Sequence, residues 1–146
     1  MRDMEKIDLY SYRCGVIDCF NEMVHAGLKP LALAHPCDTP QERDRYLSFC
    51  DQICAQYGTR YVVEDDPLLS DLFPVSMNRG KYGILFYRED AVLLAYRRIK
   101  ADKRALLDDG AYAGKARREI ALRFGALLAY PSQDCERLIA QNDEKE

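Results

Sequence analysis

The chain has 146 residues, enough for one domain with a real core, and at 48% hydrophobic and 31% charged it is excluded from the disordered class. A net charge of −3 exerts no global pull on nucleic acid or acidic lipid. The charged start, Met-Arg-Asp-Met-Glu-Lys, leads into no apolar stretch, and the longest apolar runs, such as residues 91–96, are far too short to cross a bilayer. The expectation is a soluble cytoplasmic protein.

Over residues 11–25, Val16, Phe20, Met23 and Val24, with Tyr12 and Cys19, recur at three- and four-residue steps and predict an amphipathic helix that Gly27 ends. Leu31-Ala32-Leu33-Ala34, bounded by prolines, predicts a buried strand. Thr39-Pro40-Gln41-Glu42 is a capping box with proline at the first helical position. The helix it opens turns Tyr46, Leu47, Cys50, Ile53, Cys54 and Tyr57 inward and stops at Gly58. A second strand follows at residues 60–64, then a short helix over 66–73 and a third strand over 82–87. Residues 91–99 suit either a hairpin partner or a helix capped by Asp90. The helical steps of Val92, Tyr96 and Ile99 favour the helix. A long helix over 114–129 and a short one carrying Cys135, Leu138 and Ile139 close the chain.

This alternation predicts a single α/β domain over residues 1–140 with a polar tail at 141–146. Its sheet is small and mainly parallel, of about three to four strands, flanked by helices and followed by C-terminal helices.

The candidate site is His35-Pro36-Cys37-Asp38, just past the end of a predicted strand and before a helix, where open α/β sheets form ligand crevices. There the helix dipole favours a thiolate at Cys37, with His35 as base and Asp38 as a binding group. Asp65, in Glu64-Asp65-Asp66, lies on the same sheet end if the strands are parallel, and carboxylates there suit a cation or acid–base work. Against catalysis stands the absence of an identifiable third partner, so a non-catalytic binding or interaction module is the preferred expectation. A thiol-dependent enzyme or redox protein is the alternative.

Six cysteines in a chain with no export signal predict free thiols, and no C-x-x-C or paired-histidine spacing points to metal. No cofactor is indicated. The partner is expected to be a small molecule or a protein, and a homo-oligomer stays open. Nine basic residues against four acids between Arg97 and Arg123 read as solvated helix faces, with too few interleaved aromatics for nucleic acid.

Finally, Phe124-Gly125-Ala126-Leu127-Leu128-Ala129-Tyr130-Pro131 resembles a G-x-L-L-G-Y-P helix-end motif near the C-terminus of uncharacterised prokaryotic families. In those families an apolar strand ending in Tyr-Arg can lie upstream, as in Ile84-Leu85-Phe86-Tyr87-Arg88. The likeness covers the C-terminal third and departs at Ala129, where the motif has glycine. It implies a domain of unknown function and no site residues.

Overall fold

The computed structural model describes residues 6–146, and the charged start read above, residues 1–5, lies outside them. Asp8 caps helix α1 (Leu9–His25) by accepting the Ser11 N–H, two residues ahead of the predicted start. Strand β1 (Leu31–Leu33) leads to α2 (Pro40–Asp44), where Thr39 Oγ1 accepts the Glu42 N–H at 3.1 Å. The reciprocal half of the box is missing, because Glu42 pairs with Arg13 of α1 instead. The single predicted helix breaks at Arg45-Tyr46 and resumes as α3 (Leu47–Tyr57), which Gly58 ends at φ 69°. Strand β2 (Arg60–Glu64), the one-turn helix α4 (Val75–Asn78) and strand β3 (Gly83–Tyr87) follow. Residues 90–108 are helix throughout as α5 (Asp90–Asp108), succeeded by α6 (Gly114–Leu127) and α7 (Ser132–Gln141).

The expected mainly parallel sheet is wrong. The sheet has three strands in the order β1-β3-β2, and β3 runs antiparallel to both neighbours. The cause lies in residues 65–82. A parallel return needs a crossover as long as the strands, usually a helix. The helix predicted over 66–73 does not form, and no helix of crossover length replaces it, α4 being a single turn. The chain therefore re-enters from the end it left, and β3 slots between β1 and β2. With three short strands against seven helices, the described residues form a helix-rich fold.

Alternate strand residues serve two cores. Ala32, Ala34, Ile84 and Phe86 pack against α1 and α3 with Cys14, Ile17 and Cys50. Leu31, Leu85 and Tyr87 face α5, α6 and α7 with Tyr96, Ile120 and Phe124. Gly125 is required by α7, since a Cβ there would stand 2.3 Å from Cys135 Sγ. The α1 core face is Cys14, Ile17, Asn21 and Val24, whereas Tyr12 and Cys19 of the predicted face are exposed. All six cysteines are free. Seven of the nine basic residues between Arg97 and Arg123 have carboxylate partners.

The polar tail is docked. Asn142, 8% exposed, donates to the Asp71 and Phe73 carbonyls, Val75 N–H bonds to the Glu144 carbonyl, and Lys103 pairs with Glu146 at 2.6 Å. Asp71 is in turn held by Arg117 through two 2.7 Å bonds. These contacts fix residues 69–79, which have little regular structure of their own.

Candidate functional site

Because β3 opposes both β1 and β2, those two strands run parallel to each other, and their C-terminal ends share one end of the sheet with the start of β3. Arg43, 5% exposed, ties the start of β3 to the end of β2: Nη1 donates to the Gly83 carbonyl at 3.1 Å and Nη2 pairs with Asp65 at 3.0 Å, while Nε pairs with the neighbouring Asp44 at 2.7 Å. Asp65 is thus a largely exposed anchor for Arg43 beyond β2.

His35, Cys37 and Asp38 lie on the β1 side of that end. Past Ala34, which bonds to Ile84, the strand bulges through His35-Pro36 and pairs again where Cys37 and Tyr82 exchange backbone bonds at 2.9 Å. Beside this edge opens a cleft of about 430 Å³. Leu9, Arg13, Val16 and Phe20 of α1 form one wall, while Phe73, Met77 and Tyr130 form the other, and His35, Pro36 and Cys37 reach it from the strand. A shallower polar recess adjoins, bounded by Arg13, His35, Asp38, Glu42 and Lys81. Its charges are matched, Arg13 to Glu42 at 3.0 Å and Lys81 to Asp38.

The chemistry of the thiol differs from the dipole argument. Cys37 is 2% exposed, and burial, reinforced by Glu42, pushes its pKa up. Its Sγ donates weakly to the His35 carbonyl at 3.8 Å, and no hydrogen bond joins it to the His35 imidazole. Desolvation, then the Arg13 guanidinium, hold that imidazole below its ordinary range, so it is neutral at pH 7. The exposed Asp38 carboxyl is held low by its hydrogen bond to Lys81. Cys50 and Cys54 are core residues, and burial lifts Cys50 to about 12. No group of three or more His, Cys, Asp or Glu among the described residues is placed to hold a metal ion. No described helix is long and apolar enough to cross a membrane.

Sequence reasoning found the strand side of this cleft and missed both walls. Val16 and Phe20 carry the same apolar signature as core positions, and Phe73 and Tyr130 come from segments with no periodic pattern. A signal for the α1 wall exists: Leu9, Tyr12, Val16 and Phe20 add a second apolar stripe to a helix whose core face is already complete.

Compared with protein-family models, with curated proteins and with solved structures, the chain matches none.

Proposed function

We propose that this chain is a non-catalytic binding domain whose ligand lies in the cleft between α1 and residues 73–77, against the edge of β1. The observation that carries this reading is the cleft itself. It is concave and mainly apolar, of the size that takes small ligands or short chain segments, with Arg13 paired to Glu42 and Lys81 to Asp38 on its rim. Six free thiols fit a reducing compartment such as the cytoplasm. The resemblance of the C-terminal third to uncharacterised prokaryotic families adds no activity to this reading.

The test is binding of the apolar dye 8-anilinonaphthalene-1-sulfonate to the native protein and to Val16→Glu, which puts a carboxylate on the cleft wall. A saturable site in the parent, weakened at least about tenfold in the variant with its circular dichroism unchanged, is expected. Equal dye binding by both proteins would remove the cleft as the site.

A thiol enzyme has one observation in its favour, that His35 and Cys37 border the same cleft. The raised Cys37 pKa opposes it, since less thiolate is present at any given pH. Alkylation by iodoacetamide, followed by peptide mapping across pH, separates the two. The expectation is a Cys37 profile displaced to higher pH than a model thiol at about 8.5, and slower than the exposed Cys19. A midpoint at or below the model value would restore the catalytic reading.

A further inference from the structure

The floor of the cleft is an edge strand with unused hydrogen-bonding groups. Ala34 donates to the Ile84 carbonyl, and residues of an antiparallel strand alternate between facing the partner and facing away. Leu33 therefore turns its N–H and C=O away from β3, toward the cleft it lines. No described residue bonds to either group, and the His35 N–H is likewise without a partner. A hydrocarbon or an aromatic ligand cannot satisfy a donor and an acceptor on the same strand residue. An extended peptide backbone can, lying about 4.8 Å from β1 in the plane of the sheet.

The two walls suit such a strand. The α1 layer covers one face of the sheet and Phe73 and Tyr130 pack with the core of the other. Side chains alternating along an added strand would point by turns to Val16 and Phe20 and to Phe73 and Tyr130, so consecutive positions must all be apolar. The bulge at His35-Pro36 ends the usable edge on one side. On the other stands Lys29, whose Nζ bonds to the Leu128 carbonyl at 2.7 Å and lies 5.2 and 5.8 Å from the ring centroids of Tyr130 and Phe20. Among the described residues Lys29 has no carboxylate within ion-pair distance, unlike Arg13 and Lys81, and desolvation holds its pKa below the usual range. The half-buried cation thus marks where an occupant's negative charge belongs. Leu33 is the β1 residue that borders the cleft, Leu31 and Ala32 having no exposed surface, so a segment of about three residues at 3.3 Å each would pair with β1 through its central residue, opposite Leu33.

We propose that the cleft takes an extended apolar segment of a partner protein, about three residues long, added antiparallel to β1 as a fourth strand with a carboxylate beside Lys29. The proposal rests on the binding-domain reading and names its ligand. A segment whose carboxylate is at its C-terminal end must run antiparallel to β1 to bring it beside Lys29, because Lys29 precedes that strand.

The experiment uses four fluorescein-labelled hexapeptides, Gly-Ser-Z-Z-Z-Asp, where Z-Z-Z is Val-Phe-Val, Ile-Leu-Ile, Leu-Tyr-Val or Phe-Val-Leu. Binding is read by fluorescence anisotropy, and amide exchange is followed at Leu33. At least one peptide should bind and slow exchange at Leu33. N-methylation of its central amide, which keeps every side chain, should weaken binding about tenfold on the parent protein, with no variant needed. Lys29→Gln should weaken the acidic peptide about tenfold and leave its Asn-ended, C-terminally amidated counterpart unchanged. The proposal is overturned if no peptide binds up to millimolar concentration, or if the N-methylated peptide binds equally well. Concentration-dependent dimerisation abolished by Val16→Glu would also overturn it, since the occupant would then be a second copy. Dye binding that survives while the peptides fail leaves the binding-domain reading intact and removes only the strand.

Discussion

The two edges of the sheet are defended differently. The β2 edge is five residues long and carries its charges with it: Arg60 pairs with Asp90 at 2.5 Å and Glu64 with Lys100 at 3.1 Å, while Val63 is 45% exposed to water. The β1 edge has no charge in its three residues, two of which, Leu31 and Ala32, have no exposed surface at all. Charged side chains deter strand pairing along a long edge, whereas the other edge is kept short and flanked by walls. Only the second arrangement leaves an apolar slot, at Leu33, where backbone groups can still be reached.

The largest expected contrast comes from truncating each edge in turn. Leu31→Ala should cost about 2–5 kcal/mol, since it empties a fully buried position, while Val63→Ala should stay within about 0.5 kcal/mol. Urea unfolding measures both, and comparable losses would end the distinction between a core-anchored and a solvated edge. Next in size is Asn142→Ala, which strips the donors from the Asp71 and Phe73 carbonyls at a cost of about 1–3 kcal/mol. Because those carbonyls belong to the far wall of the cleft, amide exchange should quicken across residues 71–76 and stay unchanged along β2. Uniform quickening would mean that the tail supports the whole fold and not this wall.

The smallest effect is a gain. Ala129 sits at φ 63°, a left-handed conformation that disfavours a Cβ by about 1–2 kcal/mol, immediately before the wall residue Tyr130. Ala129→Gly relieves that strain but loosens the unfolded chain, leaving a stabilisation of about 0.5–1 kcal/mol, measurable as a higher unfolding midpoint. A lower midpoint would mean that the alanine methyl group contributes packing. Glycine is also the residue of the resembling motif at this position, for which the conformation supplies a physical reason.

Local signals were read correctly where the physics is local. Thr39 caps α2, Gly58 ends α3, and the three strand segments lie within a residue or so of their predicted places. Strand direction was not legible, because it depends on what residues 65–82 fail to form, and an irregular connection leaves no periodic mark. The docking of the polar tail was not legible in composition: Asn142, Glu144 and Glu146 find partners in carbonyls, a backbone N–H and cations made available only by the folded chain. For the site, His35, Cys37 and Asp38 could be gathered from their position after a strand. Arg13, Phe73 and Tyr130 could not, being brought there by packing between segments far apart in sequence.

The placement of β3 also sets an order of events. Both β1 and β2 hydrogen-bond within the sheet to β3 alone, so a nascent chain that has emerged only as far as residue 82 owns two strands and no ladder. Helices α1 and α3 can form early, but they have no paired surface to rest on until residues 83–87 arrive and close both sides together. The sheet therefore forms only around its central strand, and a fragment ending before Gly83 is expected to keep helices and lack the sheet.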